Sequence, residues 1–156
     1  MSAQTSIGVI SDTHGLVRPE AVAALRGSDL IVHAGDVGHP AVLEALRAVA
    51  PVVAVRGNND HGAWAEELSA TEVVERAGVL LYVLHDLAEL DIDLKAAGFH
   101  AVIAGHSHQP KLERREGVLY LNPGSAGPRR FKLPVALARV RVHAASIDAE
   151  LVELEV

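Results

Sequence analysis

The chain has 156 residues, 49% of them hydrophobic, and a formal net charge of −6, which suits a single domain over residues 1–156 with a substantial core. Its 14 Lys and Arg residues are scattered, and Trp64, Tyr82, Phe99, Tyr120 and Phe131 are its only aromatics; that excludes the basic face and stacking platform of a sequence-reading nucleic-acid module, while leaving a nucleotide open as a substrate. Cysteine is absent, so disulfides and thiolate metal sites are excluded. Met1 to Ser6 lack the features of a signal peptide and no apolar run approaches the ~20 residues of a membrane helix, so the expectation is a cytoplasmic protein without a membrane partner.

Five short apolar runs end in metal-ligand residues. In chain order, Ile7 to Ile10 precedes Ser11-Asp12-Thr13-His14-Gly15, and Leu30 to Val32 precedes His33-Ala34-Gly35-Asp36. Val52 to Val55 precedes Arg56-Gly57-Asn58-Asn59-Asp60, Leu80 to Leu84 precedes His85-Asp86, and Ala101 to Ala104 precedes Gly105-His106-Ser107-His108. Apolar runs bounded by turn residues read as buried strands. Strands that deliver Asp, Asn and His at their C-terminal ends converge on the edge where α/β sheets bind ligands.

Between these runs, Pro19 and Pro40 stand where helices start, predicting short helices over 19–26 and 40–49. Leu87, Leu90, Leu94 and Ala97 recur at spacings of three and four, which predicts a helix with one buried face, and Gly98 follows as its C-cap. Residues 71–84, 111–121 and 134–154 are rich in β-branched residues and alternate in part. Glu116-Gly117 between two such runs predicts a hairpin turn. Parallel βαβ units followed by hairpins predict two packed sheets flanked by helices.

Residues two apart on a strand face the same way, so Asp12 and His14 could meet one ion if strand geometry persists through the turn; His106 and His108 share that spacing. A carboxylate with several imidazoles suits a borderline transition metal better than Mg²⁺ or Ca²⁺. Asp36, Asn58 and His85 complete a set of seven, too many for one ion and fit for two with a shared carboxylate. Two ions ~3.5–4 Å apart acidify a water between them and clamp phosphate oxygens during in-line displacement. On that reading the nucleophile is hydroxide held between the metals, with no protein side chain required.

Asp-x-His, Gly-Asp, Gly-Asn-x-Asp, a lone His after a strand and Gly-His-x-His, in that order, resemble the calcineurin-like metallophosphoesterase superfamily. The short length, Gly105 to His108 and Asn122-Pro123-Gly124-Ser125 resemble its small bacterial and archaeal phosphodiesterases, the type that includes the retromer scaffold subunit. The resemblance covers Ile7 to Pro128. It implies a four-layer α-β-β-α sandwich of two mixed sheets flanked by helices. It further implies that Asp12, His14 and His108 hold one ion, that Asn58, His85 and His106 hold the second, and that Asp36 bridges. Manganese is the first expectation for the metal, with nickel, iron, zinc and cobalt as alternatives. The implied activity is hydrolysis of phosphodiesters, with phosphomonoesters as further substrates. A non-catalytic interaction scaffold on the same fold is the alternative, although all seven ligand positions carry competent residues.

Asn59 stands where many superfamily members have a histidine, and an amide does no acid–base work at neutral pH. This implies slower chemistry and a bias toward diesters or good leaving groups. Asn58 and Asn59 are also candidates to touch substrate. His61 is a candidate replacement for the missing histidine; an exposed loop histidine is the plainer reading. Arg129 and Arg130 could reach a phosphate, against the plainer reading of a solvated pair, and Arg18 carries the same ambiguity. Asp60 and Asp86 could orient ligand residues, and His33 reads as a buried structural histidine. A homodimer is compatible with the sequence, with no interface residue identifiable.

Overall fold

The computed structural model describes residues 4–130 and 132–156; the aromatic Phe131 and the first three residues of the Met1–Ser6 stretch lie outside them. Strand β1 spans Thr5–Ile10, β2 Leu30–His33 and β3 Val52–Ala54. They run parallel, β1 beside β2 and β2 beside β3. Strands β9 (Ala136–His143) and β10 (Ser146–Glu153) extend this sheet antiparallel on the β1 side, giving the order β10-β9-β1-β2-β3. The second sheet holds β4 (Thr71–Arg76), β5 (Val79–Leu84), β6 (Ala101–Ile103), β7 (Lys111–Arg115) and β8 (Val118–Asn122). Its order is β4-β5-β6-β8-β7, with β5, β6 and β8 parallel and antiparallel strands at both edges. The expected pair of mixed sheets is the observed fold.

Alternation along the strands sorts side chains into three apolar layers. Ile7 and Val9 of β1, Val32, Leu81, Val83, Ile103, Leu121 and Val140 fill the space between the sheets. Ile10, Ile31 and Leu137 face outward from the first sheet and are covered by Leu25 of α1 (Pro19–Leu25) and Leu43 and Leu46 of α2 (Pro40–Arg47). Both helices begin at the predicted prolines, and His39 caps α2 by accepting the Ala41 N–H at 3.0 Å on Nδ1. Gly8 makes the α1 contact possible, since a Cβ there would run into the Leu25 side chain. A third helix, α3, is a single turn at Ala63–Glu66 that the sequence pattern did not signal.

The helix predicted through Leu87, Leu90, Leu94 and Ala97 does not form. Only a 3-10 turn at Leu87–Glu89 is present, followed by turns. Asp86 and Asp93 explain the difference: their side chains accept the Ala88 and Ala96 N–H groups at 3.0 and 3.1 Å, so each caps the start of its own short turn, at Leu87 and after Asp93, and no continuous helix runs through both. The apolar spacing still reported burial for the three leucines, though not for Ala97, which is exposed. Leu94 is buried, and Leu87 and Leu90 are half-buried against Tyr82, Leu84 and Val102. Glu116-Gly117 forms the predicted hairpin turn, with φ of 50° and 81° and Arg115 paired with Val118. Among the described residues, no helix is long and apolar enough to cross a membrane.

Candidate metal centre

The parallel strands of both sheets release their chains at one edge, and the predicted residues collect there. Strand geometry does not carry Asp12 and His14 to one place. Strand β1 stops at Ile10, and Asp12 and His14 adopt left-handed conformations with φ of 54° and 46°. Asp36, His106 and His108 do the same at 55°, 70° and 63°. Among the described residues, the other non-glycine residues with positive φ, Ala77, Glu116, Ala144 and Ala145, all sit in hairpin turns. Asp and His tolerate this region better than most residues, but it remains a strained one whose clustering marks functional sites.

Two aspartates lie at the centre, both buried. Asp12 Oδ2 accepts the Ser11 hydroxyl at 2.6 Å and the His106 N–H at 3.1 Å. Its other oxygen, Oδ1, has no hydrogen-bond partner and lies 3.3 Å from His108 Nε2, 3.8 Å from His14 Nε2 and 3.9 Å from His85 Nε2. Asp36 is held by Asn59, whose N–H donates to Oδ1 at 2.8 Å and whose amide Nδ2 donates to Oδ2 at 3.0 Å. Asp36 Oδ2 also faces His85 Nε2 at 3.3 Å and His14 Nε2 at 3.8 Å. Burial alone would raise the Asp36 carboxyl; the interactions with His85 and Asn59 outweigh it and hold the pKa well below the usual range.

His85 has a defined tautomer. Its Nδ1 lies 2.7 Å from the Ala34 carbonyl, an acceptor only, so Nδ1 carries a proton. In a neutral ring Nε2 would then aim a lone pair at the Asp36 oxygen, an arrangement that needs a cation between them. Burial disfavours the charged ring, but Asp36 and the Ala34 carbonyl raise its pKa to about 8. Burial lowers the pKa of His108, with Asp12 opposing and Arg130 reinforcing. Gly35 leaves room for the His85 imidazole; with φ of 100°, an added Cβ would lie 2.6 Å from His85 Nδ1.

Asn58 and His106 sit at the outer margin, Asn58 Oδ1 3.2 Å from His106 Nδ1. The rings of His106 and His85 are 5.2 Å apart, and Asp86 approaches His106 Nε2 at 3.8 Å. Arg129 and Arg130 line a pocket of about 360 Å³ together with His14 and His108. His61 is exposed on its loop. Arg18 donates to the Gly127 carbonyl at 3.2 Å. His33 is fully buried, its Nδ1 accepting the Gly35 N–H at 3.1 Å and its Nε2 2.9 Å from the Thr13 hydroxyl. That hydroxyl lies 2.9 Å from the Val37 carbonyl and donates to it. The chain of bonds fixes His33 as the neutral Nε2–H tautomer, and burial with repulsion from His85 lowers its pKa to about 3.

Two supports hold the loops in place, Asp60, a candidate for that role from the sequence, and Asn122, whose own part the sequence did not signal. Asp60 is buried and accepts three backbone N–H groups, from Val37, Gly38 and Gly57 at 2.9–3.1 Å, so it ties the loop carrying Asp36 to the loop carrying Asn58. Asn122 donates to the Gly105 carbonyl at 2.9 Å and lies 3.1 Å from Ser107 Oγ, holding the loop that carries His106 and His108. Ser125 donates to the Asp12 carbonyl at 3.0 Å, which brings the Asn122 to Ser125 turn against the first loop.

A metal would relieve what the protein leaves unsatisfied. Among the described residues, the buried side-chain atoms without a hydrogen-bond partner are Asp12 Oδ1, His14 Nε2, His85 Nε2, His108 Nδ1 and Arg18 Nε. Buried polar atoms are ordinarily paired, and four of these five belong to carboxylate and imidazole groups. Ligand atoms of Asp12, His14 and His108, and of Asp12, Asp36 and His85, come within 4.8 Å of one another in each group. Nitrogen and oxygen donors of this kind fit borderline divalent metals.

Residues 6–145 match the family described as the calcineurin-like phosphoesterase superfamily domain. A relative named a probable metallophosphoesterase, from Methanothermobacter thermautotrophicus, is 36% identical over 94% of this chain and 91% of its own. A phosphodiesterase of Methanocaldococcus jannaschii is 26% identical over 76% of this chain and 82% of its own. In fold, the chain is similar to vacuolar protein sorting 29 of Cryptosporidium parvum, with a TM-score of 0.78 and 15% identity over 96% of this chain and 97% of that one.

Proposed function

This chain belongs to the calcineurin-like phosphoesterase superfamily, and on that premise we propose that it is a dimetal phosphodiesterase. Asp12, His14 and His108 hold one ion, Asn58, His85 and His106 the other, and Asp36 is shared. Phosphodiesters are its substrates, with monoesters secondary, and manganese is the first metal to try. One observation carries the reading: Asp12 Oδ1 is buried without a hydrogen bond, amid three imidazole nitrogens 3.3–3.9 Å away. Such an arrangement is costly unless a cation satisfies it.

Bound there, two divalent ions supply an acidified water and positive charge for the phosphate oxygens. The chain's own residues do the rest. Asn59 fixes both oxygens of Asp36, so its amide is engaged in orientation and is not free to protonate a leaving group. His61 points from an exposed loop. We therefore assign the leaving-group proton to solvent, which favours esters whose leaving groups depart without an acid. Arg129 and Arg130, beside His14 and His108, add positive charge on the side where an anionic ester enters.

The scaffold reading draws on the likeness to vacuolar protein sorting 29, a likeness of fold. A scaffold has no need of a buried, unpaired carboxylate oxygen facing three imidazoles, so the enzyme is the better reading. The test is hydrolysis of bis-p-nitrophenyl phosphate and p-nitrophenyl phosphate by metal-stripped protein, with and without Mn²⁺. Metal-dependent turnover favouring the diester is expected. Metal-independent turnover, or metal binding with neither ester hydrolysed, would overturn the proposal.

A further inference from the structure

The segment that fails to become a helix leaves an opening. A trough of about 430 Å³ lies on the outer face of the second sheet, between the 3-10 turn at Leu87 and the β7–β8 hairpin. Its volume is that of a small-molecule site. His106, one of the proposed metal ligands, stands at one end, and Leu87, Val102 and Tyr120 provide apolar walls. At the other end the Arg115 guanidinium lies over the Tyr120 ring, 4.6 Å from its centroid.

Charge decides what this trough accepts. Arg115 and Lys111 both line it, but both are already paired with Glu113. Arg115 Nε and a terminal nitrogen reach the two Glu113 oxygens at 3.0 and 3.3 Å, and Lys111 Nζ lies 3.2 Å away. Arg115 and Lys111 hold the Glu113 carboxyl below its ordinary pKa. Glu113 offsets one of these two cations, and the guanidinium, lying over the Tyr120 ring, presents a flat stacking surface. Asp86 at the His106 end adds negative charge. The occupant that fits is a neutral flat ring.

We propose that this trough is the specificity pocket for an aromatic or heteroaromatic arm of the ester whose phosphate sits at the proposed metal centre. The inference rests on the dimetal reading and narrows it to phosphate esters carrying such a ring, a nucleoside arm among them. The ring lies against Tyr120 and Leu87 while the phosphate stays beside His106.

Binding separates the two claims without relying on turnover. Calorimetric titration of Zn²⁺-loaded protein with phenylphosphonate and methylphosphonate compares two dianions differing only in the arm. Phenylphosphonate should bind about tenfold more tightly, the size expected of one aromatic contact with its apolar burial. Methyl signals of Leu87 and Val102 should shift with the phenyl compound alone. Tyr120→Ala should bring the affinity ratio near one, and Tyr120→Phe should keep it. Should Tyr120→Ala fail to fold, Leu87→Ala, on the opposite wall, carries the test by the same ratio. Equal affinities in the wild type, or a phenyl preference that survives both alanine substitutions, would overturn the pocket while leaving the metal centre standing. Failure of both phosphonates to bind would overturn the metal-centre reading and this inference with it.

Discussion

His85 Nε2 lies 3.3 Å from Asp36 Oδ2 while its Nδ1 donates to the Ala34 carbonyl at 2.7 Å. In the metal-free protein a proton therefore occupies Nε2, and the His85 pKa is raised to about 8. A metal ligated by that nitrogen must displace the proton. Below about pH 8, metal affinity should rise with pH and proton release should accompany binding; above it, both dependences should level off. Calorimetry in buffers of different ionisation enthalpy measures the release. Binding without proton release at pH 7 would show that His85 is not a ligand.

Asn59 holds Asp36 through two donors. Asn59→Ala removes the side-chain donor and keeps the backbone one. Loss of such a support costs about 10–100-fold in metal affinity or activity, so Mn²⁺ should bind correspondingly more weakly with the thermal stability of the metal-free protein little changed. An unchanged affinity would remove Asn59 from the site's support.

His33 links the site to acid stability. Its folded pKa, about 3, is below the ordinary value of 6.5, so the unfolded chain binds the extra proton between these values. Stability from this group is then fully present above about pH 6.5 and is lost as pH falls toward 3. Denaturant unfolding of the metal-free protein from pH 7 to 4.5 should show that decline, and His33→Asn should flatten it. A variant with the same pH slope as the wild type would contradict the assignment.

Gly35 has φ of 100° and no space for a Cβ beside His85. Gly35→Ala should strain the backbone and displace the imidazole, lowering metal affinity at least as much as the loss of one supporting contact, about tenfold. Metal titration followed by circular dichroism separates loss of binding from loss of fold. Undiminished affinity would show that the loop can move away.

The β9–β10 turn offers a change far from the chemistry. Ala144 and Ala145 have φ of 48° and 63°, a conformation that Asn-Gly adopts more readily. The double substitution Ala144→Asn, Ala145→Gly should stabilise the protein by about 1 kcal/mol, or about 2–4 °C in Tm, with esterase activity unchanged. A lower Tm would mean that the alanine contacts outweigh the backbone relief.

The five ligand-bearing loops were readable because each follows an apolar run that packs between or against the sheets, and parallel strands bring their ends to one edge. The local geometry was not. Asp12 and His14 meet through left-handed residues, a conformation invisible to a pattern of period two. The helix expected at 87–97 failed because Leu spacing reports which residues are buried, whereas Asp86 and Asp93 decide the backbone. Asp60 was a candidate to orient a ligand because it follows Asn58 in one loop, but its bonds to Val37 and Gly38, and the bond of Asn122 to Gly105, reach loops distant in sequence and had no local signal. The sequence left Arg129 and Arg130 between a phosphate contact and a solvated pair, because only the fold shows that they lie beside His14 and His108.

The most direct measurement is titration of Mn²⁺ into metal-stripped protein, following bound metal and bis-p-nitrophenyl phosphate hydrolysis together, with Asp36→Asn in parallel. A shared Asp36 predicts activity that saturates at about two equivalents and is lost in the variant. Full activity at one equivalent, or undiminished turnover by Asp36→Asn, would contradict a two-ion centre built on Asp12 and Asp36.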